Sequence, residues 1–218
     1  MRRALLVALA ALAFATAALA DPLDPKVKLV PADQARANAI VLRQSDLGPG
    51  WIGGPTSRPS SLKAPVCPSL RPNYSKLTLT GHAESIFNNG NGGIQVVSDV
   101  EVWKNLAQAK QHMDALLQPK LGACIRYALL KSVGGTNVTI LAAQRRDFPK
   151  LGDSTVHFRT PLGVKSGDET VSVLADFILM RKGRHEIYLN VVAPAANEDQ
   201  LTAFETRIAR ALIKRVRG

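Results

Sequence analysis

The strongest constraint on the fold is the segment 169–181, in which apolar side chains stand at every second position. Side chains of a β-strand point alternately to the two faces of a sheet, so this pattern predicts a strand with an apolar face. A second strand, 184–193, follows after a short turn, and such connections join antiparallel neighbours. The alternating residues are Val171, Val173, Ala175, Phe177 and Leu179, and the turn is Arg181-Lys182-Gly183-Arg184. The chain is therefore predicted to contain a long antiparallel hairpin.

Shorter patterns predict the remaining elements. Strands are expected at 82–88, 94–103, 137–146 and 154–161, and residues 52–76, with five prolines, are expected to form a long loop. Helices are expected after the N-caps Asp33, Asn105 and Asn197, and from 121 to 131. The last helix carries an apolar stripe of Leu201, Phe204, Ile208 and Leu212. About six strands, mostly joined by turns, predict an α+β fold with a mainly antiparallel sheet flanked by three to four helices.

The first residues predict export. Residues 1–20 combine Arg2 and Arg3, an apolar run and a small-residue cleavage site, which is typical of a signal peptide. The alternative is a membrane anchor, but the run is shorter than the roughly 20 residues that span a bilayer. We therefore expect a signal peptide at 1–20, an extended N-terminal arm at 21–32 and a single domain at 33–218. The mature chain is expected outside the cytoplasm, secreted or periplasmic, without a transmembrane segment.

The two cysteines, Cys67 and Cys124, are the only ones in the sequence. An even number of cysteines in an exported chain favours a disulfide, and no CxxC motif offers another use for them. Two free thiols are the alternative. A bridge would tie the long loop to the helix that carries Cys124.

The charge is strongly basic, with 28 Lys and Arg against 17 Asp and Glu and a net charge of +11. Arg207, Arg210, Lys214 and Arg217 recur at helical spacing and form a stripe on the last helix. Such a stripe is able to contact anionic lipids or cell-wall polymers, although a solvated helix face is the simpler interpretation. Nucleic acid is not expected as a partner, because export separates the chain from it and no aromatic residues alternate with the basic ones.

Catalytic motifs are absent from the sequence: there is no GxSxG, HExxH, P-loop or GxGxxG. The four histidines fall on four different predicted elements, and His157 is expected to face solvent. Asp99 and Glu101 are expected on an exposed polar sheet face, and the run from Gly152 to Ser154 is interpreted as a turn that starts a strand. No cofactor and no metal site are predicted, and a site assembled from distant side chains is the alternative.

Large amphipathic side chains are the remaining candidates for binding. They are Trp51, Trp103 and Tyr188, and the alternative for each is a place in the core.

The order of these elements resembles a known family. The chain begins with a helix, the run Asp46-Leu47-Gly48-Pro49-Gly50-Trp51, a Pro-rich segment with Cys67, a hairpin and a helix pair with Cys124. It continues with Phe148-x-x-Leu-Gly-Asp153-Ser154, which opens a strand, then a long hairpin and a final helix. This order is similar to the extracytoplasmic sensor domain of PknH-like actinobacterial kinases and their secreted or lipid-anchored relatives. The resemblance covers about residues 33–215. It implies an antiparallel sheet flanked by helices, a cleft, and binding without catalysis.

Two functions follow as hypotheses. The first is an exported, non-enzymatic ligand-binding or sensor-like domain that recognises a small molecule or an envelope component. The alternative is a cell-envelope hydrolase whose site is assembled from dispersed residues. Convergent His, Asp or Ser side chains in a pocket would favour the second.

Overall fold

A computed structural model describes residues 22–56, 67–90, 93–133 and 137–217. The predicted signal peptide lies outside these residues. No helix among them is long and apolar enough to cross a membrane.

One mixed sheet organises the described part of the chain. Its strands are β1 Lys26–Val27, β2 Trp51–Pro55, β3 Thr78–Asn89, β4 Ile94–Trp103, β5 Val138–Ile140, β6 Gln144–Arg146, β7 Ser154–Ser166, β8 Glu169–Lys182 and β9 His185–Pro194. Their order in the sheet is β1–β3–β4–β9–β8–β7–β5, with β2 also paired to β3 and β6 to β7. All pairs are antiparallel except β1 with β3. The predicted α+β class with a mainly antiparallel sheet is confirmed, with nine strands in place of six.

Helices cover both faces of this sheet. They are α1 Pro31–Ile40, α2 Gln44–Leu47, α3 Leu106–Leu116, α4 Leu121–Val133 and α5 Glu198–Arg215, and a 3-10 turn, Ala195–Asn197, leads into α5. One core lies under α1, α2 and α5 and includes Ile40, Ile178 and Ile208. The other lies under α3 and α4 and includes Met113 and Ile125. We refer to these as the α5 face and the α3 face of the sheet.

The predicted hairpin is the centre of the sheet. The alternating residues Val171, Val173, Ala175, Phe177 and Leu179 pack on the α3 face. Leu174, Ile178 and Met180 have the opposite alternation and pack on the α5 face. The turn joining β8 to β9 places Gly183 at a φ of 59°. That conformation belongs to the first central position of a type II′ turn, which glycine adopts without steric cost.

The extra strands come from segments whose side chains carry no alternation. Residues 51–55 were expected to begin a loop, but they pair with β3 as β2. A Cβ atom on Gly53 would lie 2.0 Å from the carbonyl oxygen of Ile86, so glycine is what allows this approach. The segment predicted as one strand at 137–146 is two short strands, β5 and β6, on the same edge of β7.

Asp33 does not cap its helix. The helix α1 starts two residues earlier, at Pro31, where a proline's missing N–H costs nothing. Asp33 is instead buried and binds Arg184, whose Nη1 donates to its Oδ2 at 2.7 Å, and Thr80, whose hydroxyl donates at 2.6 Å. By contrast, Asn105 caps α3 as predicted, with its side chain accepting from the N–H of Gln108. The side chain of Asn197 lies outside the described atoms.

The predicted disulfide between Cys67 and Cys124 is present and joins the loop before β3 to α4. The predicted stripe of α5 also packs on the sheet: Leu201, Ile208 and Leu212 are buried, while Phe204 is half-buried and stacks on Trp51 at 5.6 Å.

Candidate functional site

A polar cleft of about 370 Å³ opens on the α5 face, between the first turn of α5 and strands β6 and β7. Its strand side is lined by Arg145, Arg146, Asp147, His157 and Arg159, and its helix side by Glu198, Asp199 and Thr202. Charges of both signs meet here, in contrast to the apolar packing along the rest of α5. We call this region the arginine cleft.

Strand alternation places two of these side chains together. His157 and Arg159 stand two residues apart on β7 and therefore share the face that α5 covers. His157 was expected to face solvent, and that expectation is wrong: His157 is 1% and Arg159 4% exposed, because α5 packs over them. Among the described residues, neither ring nitrogen of His157 has a hydrogen-bond partner, although its Nε2 lies 3.3 Å from Asp176 Oδ1.

Arg159 is held by Asp176, which is fully buried on the neighbouring strand β8. Its Nε donates to Oδ1 at 2.8 Å and its Nη2 to Oδ2 at 2.6 Å. Burial alone would raise the pKa of Asp176, but the neighbouring His157 and the hydrogen bonds from Arg159 outweigh it and lower that pKa. Burial, together with the Asp176 carboxylate, raises the pKa of Glu205 above its ordinary value and favours its neutral form.

At the mouth of the cleft, the Glu198 carboxylate bridges two guanidinium groups. Its Oε1 accepts from Arg146 Nη2 at 2.7 Å and from Arg159 Nη1 at 2.7 Å. The hydrogen bond from Arg159 is the main reason why the pKa of Glu198 is lowered. The Glu198 side chain is 45% exposed, so it is able to swing into solvent. The point between the two guanidiniums therefore accommodates a carboxylate.

A second polar cluster lies on the α3 face, buried between that helix and strands β3, β4 and β9. Its members are His82, Asp99, Glu101, His112, Glu186 and Tyr188. His82 Nε2 lies 2.9 Å from Asp99 Oδ1, and His112 Nδ1 lies 2.7 Å from Glu186 Oε2. Asp99 and Glu101 were expected on an exposed sheet face, but they are 1% and 8% exposed because α3 covers them. We call this group the acid–histidine cluster.

The aromatic candidates do not form one site. Trp51 is buried on the α5 face against Phe204, whereas Trp103 and Tyr188 lie on the α3 face. Trp103 is fully buried and its ring lies 4.3 Å from that of His112. Tyr188 is half-buried and its hydroxyl donates to Glu186 Oε2 at 2.7 Å. Tyr188 thus belongs to the acid–histidine cluster, and the two tryptophans are core residues.

The basic stripe on α5 faces solvent. Arg207, Arg210, Lys214 and Arg217 are all exposed. Arg217 was expected on the last helix, but α5 ends at Arg215, so Arg217 lies just beyond it. Arg207 donates to the carbonyl oxygen of Asp46 at 2.6 Å, and its guanidinium lies 5.5 Å from the Phe204 ring centre. The other three have no ion-pair partner in the described ranges.

Neither polar cluster was predicted from the sequence. His157 and Arg159 stand two residues apart on a predicted strand and so share one face, but no local pattern shows that α5 covers that face. His112 and Glu186 are 74 residues apart and carry no local signal. The run from Gly152 to Ser154 is a turn before β7, as predicted, with Asp153 Oδ2 accepting from the N–H of Gly183 at 2.8 Å.

No protein-family model matches the chain, and no curated protein matches it. Solved structures that are similar to the chain are known. The extracellular domain of PknH from Mycobacterium tuberculosis is similar with a TM-score of 0.49 and 11% identity, over 85% of this chain and 97% of that one. A putative uncharacterised protein from Mycobacterium smegmatis, the Rv0999 ortholog, is similar with a TM-score of 0.42 and 10% identity, over 83% and 98%.

Proposed function

We propose that this chain is an extracytoplasmic, sensor-like binding domain whose arginine cleft takes a small anionic ligand, a carboxylate or a phosphate. The disulfide between Cys67 and Cys124 supports an oxidising compartment, in keeping with the predicted leader. In this proposal the residues of the cleft recognise and bind the ligand, and they do not react with it.

The observation that carries the proposal is the Glu198 carboxylate between Arg146 and Arg159, at 2.7 Å from each. It marks a point where two guanidiniums converge on one oxygen at hydrogen-bond distance. Charge-assisted bonds of this kind are about twice as strong as neutral ones. Because Glu198 is half exposed, an incoming anion is able to replace it, and the first turn of α5 adds its dipole.

The ordering of the pocket supports binding by a preformed site. The Asp176 carboxylate holds the Nε and Nη2 atoms of Arg159, so its Nη1 atom is left to face the cleft. Binding a ligand there would therefore cost little conformational entropy of the arginine side chain. His157 lines the same cleft, and its Nδ1, which has no hydrogen-bond partner among the described residues, offers a further contact. A ligand with two or more oxygen atoms would satisfy these groups together.

Titration calorimetry with citrate and inorganic phosphate tests the proposal, with glucose as a neutral probe. Arg146→Gln is expected to weaken anion binding about tenfold, since it removes one charged hydrogen bond. Glu198→Ala is expected to tighten it, because the internal competitor is gone. Lys110→Gln, which makes the same charge change on exposed α3, is the control and should leave binding unchanged.

Two results would contradict the proposal. One is citrate binding that is equal in wild type, Arg146→Gln and Lys110→Gln. The other is a Glu198→Ala variant that binds either anion no better than wild type does.

The exposed basic stripe supports a second candidate function, electrostatic attachment to an anionic surface. Each basic group near such a surface contributes about 1 kcal/mol, so four give weak and reversible binding. Co-sedimentation with vesicles rich in anionic lipid should be strong at low salt and lost at about 1 M salt, where the Debye length is about 3 Å. A variant with Gln at Arg207, Arg210, Lys214 and Arg217 should stay in solution, and equal sedimentation of both proteins would reject this function.

A further inference from the structure

The acid–histidine cluster on the α3 face contains four donor atoms that converge on one point. Glu186 Oε2 lies 2.7 Å from both His112 Nδ1 and the Tyr188 hydroxyl. The same hydroxyl lies 3.5 Å from His112 Nδ1 and 3.4 Å from Glu101 Oε2. One donor each from Glu101, His112 and Glu186 lie within 4.8 Å of one another. Donors bound at 2.0–2.2 Å to a tetrahedral ion are about 3.4 Å apart, so small side-chain rotations would complete such a site.

Among the described residues, the cationic groups beside these carboxylates are imidazoles alone, and the nearest is His112, with Nδ1 2.7 Å from Glu186 Oε2. Glu186 is fully buried, and its Oε1 has no hydrogen-bond partner in the described part of the chain. Arg181, which stands opposite Glu186 on β8, donates to Asp153 instead. No lysine or arginine of the described ranges forms an ion pair with Glu101 or Glu186. Two carboxylates buried beside one imidazole still leave negative charge uncompensated, which is costly, and a divalent cation would neutralise it.

We propose that Glu101, His112 and Glu186 bind one divalent transition-metal ion of the Zn²⁺ class, with the Tyr188 hydroxyl at the fourth corner. One nitrogen and several oxygen donors in a closed four-donor set suit Zn²⁺. Ca²⁺ requires six to eight oxygens and Mg²⁺ keeps several waters, neither of which this buried site offers. The charges also balance, because two carboxylates neutralise one divalent ion while Asp99 pairs with His82 at 2.9 Å.

The surroundings hold the ligands in place. The His112 ring packs between Tyr74 and Trp103, with ring centres 4.4 and 4.3 Å away. Glu101, Glu186 and Tyr188 stand on the adjacent strands β4 and β9, while His112 comes from α3. The ion would therefore join the helix to the sheet. The His157, Asp176 and Glu205 group on the α5 face differs, because the Arg159 guanidinium already supplies its positive charge.

Metal content and thermal stability of the purified chain, with its disulfide intact, test the proposal. After treatment with EDTA and dialysis against Zn²⁺, wild type should retain about one Zn²⁺ per chain by mass spectrometry. At a free Zn²⁺ concentration a hundredfold above Kd, the melting temperature should rise by about 5–10 °C. Mg²⁺ at the same concentration should not change it. Failure to retain zinc, or an equal shift with Mg²⁺, would overturn the proposal.

Variants identify the ligands. Glu101→Gln and His112→Gln should weaken Zn²⁺ binding by at least tenfold, while Asp114→Asn, an exposed carboxylate on the same helix, should not. Tyr188→Phe keeps the ring and should weaken binding about tenfold even if the other variants fail to fold, as monitored by circular dichroism. Zinc bound equally by wild type and Tyr188→Phe would contradict the four-donor site. The arginine cleft lies on the other face of the sheet, so each proposal can fail without the other.

Discussion

Arg159→Met tests the energetics of the arginine cleft most sharply, because it removes the cation from a fully buried carboxylate. Asp176 is 0% exposed, and Arg159 provides both of its short guanidinium contacts, at 2.8 and 2.6 Å. In the variant, Asp176 would keep His157, at 3.3 Å, and Glu205 beside it, but no guanidinium. Methionine keeps much of the aliphatic stem, so the main loss is the charge.

The expected loss of unfolding free energy is about 3–5 kcal/mol, the cost of breaking a buried ion pair from one side. For a chain of this size, 1 kcal/mol corresponds to about 2–4 °C, so the melting temperature should fall by about 6–20 °C. Urea denaturation followed by tryptophan fluorescence measures the free energy of unfolding, because Trp51 and Trp103 are both buried in the core. Arg146→Met is the matched control, and its exposed ion pair with Glu198 should contribute less than about 1 kcal/mol.

A double variant separates charge from packing. Arg159→Met with Asp176→Leu removes both charges and should be more stable than Arg159→Met alone, because the Asp176 carboxylate is no longer left buried without its cation. The reasoning is refuted if Arg159→Met and Arg146→Met are equally stable. It is also refuted if the double variant is less stable than the single one.

Three other perturbations have expected outcomes in the same denaturation assay. Replacing Cys67 and Cys124 by Ser should cost about 4 kcal/mol in the chain-entropy model, given their separation of 57 residues; a loss below about 1 kcal/mol would contradict that. Phe204→Ala should cost about 2 kcal/mol, less than for a fully buried ring, because Phe204 is half-buried against Trp51; no change would show that α5 is peripheral. The pKa of Glu205 is raised in the folded chain, whereas in the unfolded chain it has its ordinary value of 4.5. Above pH 4.5 the unfolded chain loses this proton and the folded chain keeps it, so the free energy of unfolding falls as the pH rises. Glu205→Gln should therefore be stabilising at pH 8 relative to its effect at pH 4, and equal effects at both would reject this.

Local patterns predicted the elements whose side chains alternate or recur within one segment. The β8–β9 hairpin and the apolar stripe of α5 are of this kind, because their pattern of burial follows from strand or helix geometry alone. The strand β2 was missed, because Gly53 and Gly54 give no alternation of side chains, and Gly53 serves the close approach to the backbone of β3.

The polar clusters could not be predicted in the same way, because their contacts are distant in the sequence. Asp33 and Arg184 are 151 residues apart, and His112 and Glu186 are 74 apart. A histidine or carboxylate on a predicted strand looks like a solvated residue until the covering helix is known. That is why His157, Asp99 and Glu101 were expected at the surface. The hydrolase alternative stays a prediction.

The most direct test of the central claim is a titration of the ¹⁵N-labelled chain with citrate, followed by the backbone amide shifts. Binding in the arginine cleft predicts saturable shifts at Arg146, Arg159 and Thr202, which line it from the strand and the helix side. The same shifts should weaken in Arg146→Gln and persist in Lys110→Gln. Shifts confined to the basic stripe around Arg210 and Lys214, or no saturable shifts at all, would contradict the account.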